Sequence, residues 1–384
     1  MRLYKMELYK LCGRKMFIMG ALCVIGVVLF GFAVKVSAEE SVVDGIRYKG
    51  YQAVQKDRQI TKEFEGILTD EKAEKIIEKY GFPSEVEVFY AYYRDANYLN
   101  MLVEKCLSNG YFNNWEDYKI ATDIYSIEDT DLGAYRNYTG KEIVLEYNNG
   151  WLVFLDVLET GLLLGSILVL YSVSTVFAGE RQSGMLVLLF TTKEGKNKDI
   201  YAKIAAVFTI ALGVWLCITV IGLLLCGIVY GYSGLHTLAG MSKISFYQVS
   251  AYMPKTMWSM GKFIVIVLLR SLLGMFLLCS ITMCISALLK SPFNAVVCAA
   301  IVWVMPVLLW ILLRILLQGG GQSLISYIIL YIIRCLIFSS PIYMVMYDTL
   351  ESGRAMVMLM SIAAALLIIC SISSYLKYKR QQVV

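Results

Sequence analysis

Long uninterrupted apolar runs constrain this chain more than any other feature. They recur at about residues 17–34, 151–178, 205–230, 263–289, 295–317 and 355–375. Crossing the hydrocarbon of a bilayer takes roughly 20 residues of helix, and each run meets or approaches that length. Inside lipid the backbone must satisfy its own hydrogen bonds, so runs of this length are helices rather than open strands. Only 17% of the residues are charged, below the roughly one quarter usual in soluble chains. The fold class expected is an all-α polytopic membrane protein with six spans. A seventh apolar stretch, 323–347, breaks at Ser339, Ser340 and Pro341 and follows "QGGGQ". It is read as a re-entrant hairpin before the last span, because a seventh crossing would carry the basic "KYKR" terminus to the acidic side.

Charge divides the chain sharply. Residues 38–150 hold 22 Asp/Glu against 13 Lys/Arg, and the remainder holds 8 against 22. Basic sequence collects on the cytoplasmic face of membrane proteins. The split therefore predicts that 38–150 is extracytoplasmic, that both termini are cytoplasmic, and that the basic excess needs no nucleic acid to explain it. The implied location is a cytoplasmic membrane, crossed several times. Residues 1–15 carry Arg2, Lys5, Lys10, Arg14 and Lys15 against Glu7, as a basic amphipathic helix lying on the inner surface would. A basic head, an apolar run and the small residues of "VSA" also resemble a signal peptide. The run at 16–37 exceeds the ~7–15 residues of a signal core and favours an uncleaved first span.

Residues 38–150 read as a mainly helical domain inserted between spans one and two. "LTDEKAEKIIEKYGFP" has Thr69 or Asp70 as a cap, acids in its first turn, and Gly81 and Pro83 as stops. A second helix is expected through "DANYLNMLVEKCLSNG". Of the ten cysteines, only Cys106 lies in this domain, so disulfides do not frame it.

Catalytic signatures are missing. The sequence has no G-x-x-x-x-G-K-[ST] phosphate loop, no H-E-x-x-H and no G-x-S-x-G. Its single histidine, His236, has no Cys/His spacing suited to zinc. No enzyme activity, metal or cofactor is expected in the chain, and any ATP-derived energy has to come from another protein.

The remaining feature is "FAGERQSGMLVLLFTTKEGKNKDIYAKI", Phe177 to Ile204, between spans two and three. Glu180 and Gly184 are four apart and would share a helix face. "MLVLLF" is too short to cross and could form a short surface helix. By physics alone the segment also fits a plain basic connector. The order Glu180, Gly184, "MLVLLFTT" ending in Thr191 and Thr192, Gly195 in a lysine-rich turn, and Lys203 opening the next span resembles the permease subunit of type-2 ATP-binding-cassette exporters. The six-span plan and the interrupted hairpin agree with that family, and the large outer insertion resembles permeases of Gram-positive bacteria. The resemblance implies that 180–203, with Arg181, couples to a separate ATPase subunit. That subunit would bind ATP and Mg and act with a second permease subunit, identical or related. It further implies export of an amphipathic, lipid-like, peptide or antibiotic substrate, with membrane lipid as the surroundings. In this reading Glu180 is a polar contact at the membrane edge, and Gly184 permits close backbone approach.

Charges inside spans are costly and commonly paired. Asp156 and Glu159 in span two, Arg270 in span four, Arg314 in span five and Arg334 in the hairpin all fall in the outer half. They are expected to form ion pairs around an exit path, or else to sit at helix ends and snorkel. Two other functions remain open: a gradient-driven transporter, whose mark would be inverted repeats with charges at mid-membrane, and a sensor using 38–150 to bind a ligand.

Overall fold

The computed structural model describes residues 2–83, 95–112, 118–119, 121–191, 197–241, 258–317 and 353–380. The expected re-entrant hairpin 323–347, with Arg334, and the residues Thr192 and Gly195 lie outside them.

Five described helices are long and apolar enough to cross a membrane. They are α2 (Lys15–Ser37), α7 (Asn149–Gln182), α9 (Lys198–Tyr230), α10 (Met260–Leu288) and α12 (Gly353–Lys379). A further apolar helix, α11 (Pro292–Leu317), begins with Pro at its first position, where the missing N–H costs nothing. The chain is thus a mostly helical, multi-pass membrane protein. The amphipathic start forms α1 (Arg2–Cys12). Helix α7 is the axle of the bundle: α2, α9, α10 and α11 all pack along it, and α12 packs on α10. Gly161 and Gly165 of α7 make this possible, since a Cβ at either would meet Ile218 of α9 at 2.4 and 2.7 Å.

Helices α7 and α9 run well past the apolar segments that mark them in sequence. Polar residues extend both at the end where they approach each other. Glu180 and Lys203 therefore sit inside helices and not in a loop. The expected sharing of a helix face by Glu180 and Gly184 does not hold. Helix α7 stops at Gln182, and Gly184 has φ +71°, the left-handed conformation that glycine adopts cheaply after a helix C-terminus. The short helix α8 (Met185–Thr191) follows.

The inserted domain sits on the opposite end of the bundle. It comprises α3 (Tyr51–Glu63), α4 (Asp70–Tyr80), α5 (Tyr98–Leu107) and α6 (Asp131–Thr139), with short two-stranded antiparallel ribbons. Thr69 caps α4, its hydroxyl accepting from the Lys72 amide at 3.2 Å, and Gly81 ends it at φ +72°. Asn97 and Asn100 form a reciprocal cap at the start of α5. The ribbon β1/β2 (Glu40–Val43 and Ile46–Lys49) turns at Asp44–Gly45, both with positive φ, the backbone a two-residue hairpin demands.

The domain is fastened to the bundle by polar contacts around Asn148. Its side-chain amide donates to Thr237 Oγ1 at 2.9 Å and to the Met241 carbonyl. The Tyr98 hydroxyl lies 2.9 Å from both Asn148 Oδ1 and the Glu146 carbonyl. Lys105 donates to the Gly240 carbonyl at 3.0 Å, and Glu39 accepts from Asn149 and Tyr230. The connection between α9 and α10 is thereby tied to the domain.

Candidate functional site: a buried ionic hub at the end of α7

Two consecutive residues of α7, Glu180 and Arg181, hold the ends of the helices around them. Glu180 is only 3% exposed. Its Oε1 accepts from Lys10 of α1 at 2.6 Å and lies 3.1 Å from Lys203 of α9, and its Oε2 accepts from the Tyr378 hydroxyl of α12 at 2.6 Å. Lys203 is fully buried. It also pairs with Asp199 one turn earlier and with Glu7 of α1 at 3.5 Å. Arg181 turns to α10, donating to the Ala287 and Leu289 carbonyls. Those carbonyls belong to a helix C-terminus, which lacks internal partners and favours a cation. Its guanidinium also lies over the Tyr378 ring, 5.9 Å from the centroid.

Three carboxylates, Glu7, Glu180 and Asp199, are held by two ammonium groups, Lys10 and Lys203. Such pairing matters, because a buried charge without a partner costs several kcal/mol. One turn above, Ser286 of α10 inserts into the α7 ladder. Its hydroxyl donates to the Ser174 carbonyl at 2.7 Å and accepts from the Phe177 and Ala178 amides at 3.1 Å. A side chain inserted this way is a recognised cause of helix bending. Nearby, Arg14 donates to Thr175 and Tyr4 to Thr209, tying the start of α2 to α7 and α1 to α9.

Sequence reasoning selected Glu180, Arg181 and Lys203 as residues of an ATPase-coupling segment, with Glu180 at the membrane edge. The structure buries Glu180 and Lys203 facing each other. The partners Lys10, Asp199, Glu7 and Tyr378 were missed. Spacing held a partial signal, since Glu7–Lys10 and Asp199–Lys203 are i,i+3 and i,i+4 pairs of opposite charge. Gly184 and Thr191 do lie outward. A Cβ on Gly184 would meet nothing within 4 Å, and the exposed Thr191 hydroxyl donates to the Leu188 carbonyl of α8. Leu188, between them, is 69% exposed.

The intramembrane charges behave differently. Asp156 pairs with Lys35 of α2 at 2.8 Å, a partner outside the expected set. Glu159 lies one turn from Asp156 on α7 and is half-buried; Arg270 is fully buried in α10; Arg314 belongs to α11.

A spanning bundle whose helix ends are tied into one hub, directly before a short outward helix, is the setting in which the family comparison takes on meaning. Residues 1–382 match the family described as ABC-2 family transporter protein. The chain belongs to that family. It is a membrane permease component of the ABC-2 type, which bears out the family resemblance. Comparisons with curated proteins and with solved structures gave no match.

Proposed function

We propose that this permease is the membrane subunit of an ATP-driven exporter, and that a separate ATPase subunit grips it at the connection between α7 and α9. The observation that carries this reading is the order of parts along the chain. The short apolar helix α8, with Met185, Leu188 and Thr191 exposed, follows the ionic hub after a single turn. A push on α8 reaches Glu180 and Arg181 directly, and through them α1, α9, α10 and α12. Glu180 and Lys203 would then transmit force from inside the bundle. Met185, Leu188 and Thr191, all exposed, would make the outward contact, with the lysines after them.

The positive-inside bias supports a cytoplasmic hub and an extracytoplasmic 38–150 domain. It equally supports six spans, with α11 as the fifth, both termini in the cytoplasm and a re-entrant 323–347. ATP and Mg would be held by the partner, and a second permease subunit would complete the pathway. An amphipathic substrate, lipid-like, peptide or antibiotic, suits a bundle of apolar walls.

The test is co-purification with an ATPase carrying a phosphate-binding loop and encoded beside this chain. Wild type should retain it, and Leu188→Asp should lose it while the permease stays folded. Undiminished association and transport in Leu188→Asp would refute the assignment of the contact.

A further inference from the structure

An apolar groove runs between α2 and α9, with α1 and Leu168 of α7 also in its lining. It encloses about 340 Å³, near the lower edge of the ~300–1,000 Å³ of small-molecule sites. Leu8 and Cys12 of α1, Phe17 and Val24 of α2, and Gly213 and Cys217 of α9 are among its lining residues. The lining is hydrocarbon and sulfur except for Thr209, whose hydroxyl is already bonded to Tyr4. A Cβ at Gly213 would meet nothing within 4 Å, so this wall opens onto free space.

The charges near these residues in the chain complete the picture. Lys5, Leu8 and Cys12 are spaced i, i+3, i+7 and share one face of α1. Lys5 is exposed, and Lys15, also exposed, opens α2 two residues before Phe17. Lys10 and Lys203 are engaged in the hub, whereas Lys5 and Lys15 are exposed and lie three residues before Leu8 and two before Phe17 of the lining. An apolar groove whose lining residues Leu8 and Phe17 are closely preceded along the chain by the exposed lysines Lys5 and Lys15 suits one chemistry. That chemistry is an acyl chain attached to an anionic phosphate headgroup.

We propose that the groove between α1, α2 and α9 is a binding site for an anionic phospholipid of the surrounding membrane, one acyl chain lying along Phe17, Val24 and Gly213 and the phosphate held by Lys5 and Lys15. The occupant is a resident lipid, distinct from any transported molecule, and the site does not depend on the ATPase reading. Because α1 both lines the groove and supplies Lys10 to Glu180, the lipid would fasten α1 against the hub.

The experiment reconstitutes the full chain in vesicles of phosphatidylcholine and phosphatidylglycerol at three to one, extracts it in mild detergent, and counts retained lipids by native mass spectrometry. Wild type should keep one phosphatidylglycerol per chain. Gly213→Phe and Ala21→Phe, which fill the slot from opposite walls, should each keep at least tenfold less. Both walls are used so that misfolding of one variant leaves the other as the test, with size-exclusion profiles as the control. Lys5→Gln with Lys15→Gln should still bind a chain but lose preference for the anionic lipid, by about fivefold per lysine. Three results would overturn the proposal: equal retention in the filled variants, retained lipid that mirrors the vesicle composition, or a filled variant that turns a dimer into a monomer without changing lipid content. The last would mean that a second copy of the chain covers the groove.

Discussion

Replacing Lys203 by Met should be the most damaging single change at the hub, and the geometry says by how much. Three carboxylates converge on its ammonium, from Glu180, Asp199 and Glu7, and it is fully buried. Removing one partner of a buried pair leaves an uncompensated charge and costs about 3–5 kcal/mol. Glu180 would keep Lys10 and Tyr378, which places the expected loss near the lower bound, about 3 kcal/mol. Lys10 also touches Glu180, but its side chain is 39% exposed, so Lys10→Met should cost at most about 1 kcal/mol. Glu180→Gln keeps an acceptor for Tyr378 and leaves Lys203 with two carboxylates, so about 2 kcal/mol is expected. The double variant Glu180→Gln/Lys203→Met should lose less than the two single losses together, by roughly 0.5–3 kcal/mol, because the groups share one network. Reversible unfolding in mixed micelles measures all four. Equal losses for Lys203→Met and Lys10→Met, or strict additivity in the double variant, would refute the hub as the element binding these helix ends.

Three further expectations follow from the other end of the molecule. Asn148→Ala should loosen the inserted domain by about 1–3 kcal/mol, and Asn148→Asp by more, since a carboxylate would face the Met241 carbonyl; protease sensitivity of the domain reports both. Burial beneath the α9–α10 connection lowers the Lys105 ammonium to about 8, well below its ordinary value of about 10.4. Between those values the unfolded chain binds more protons than the folded one, so this group makes stability rise with pH from about 8 to 10.4; Lys105→Met should remove that part of the slope in a pH series of melting curves. Exchanging Lys35 and Asp156 for each other's residue should restore stability to within about 1 kcal/mol, because the pair is partly exposed, whereas Asp156→Lys alone should destabilise the α2–α7 contact in the same unfolding assay.

How far the sequence carried the reading depended on the range of the interaction. Spans stood out because hydropathy is a property of each segment alone. The α4 helix was read correctly from Thr69 to Gly81 because its cap and stop are local. Asp44–Gly45 was an equally local hairpin signal and was passed over. The pairing of Gly66–Ile67 with Val144–Leu145 has no local mark. Glu180 and Lys203 show the main gap. Their place beside an apolar run marked them, but the direction they face is set by where α1 and α12 dock, and Lys10 and Tyr378 are distant in sequence. Lys35 likewise lies 121 residues from Asp156, and nothing in either neighbourhood announces the other.

The central claim is that α8 is the surface an ATPase grips. It is tested most directly by a disulfide cross-link, using Leu188→Cys in a chain stripped of its other cysteines and single cysteines placed around the groove of the partner ATPase. The account predicts a cross-linked pair whose yield changes when ATP is added. Efficient cross-linking from a control cysteine elsewhere on the basic face, with none from position 188, would contradict it.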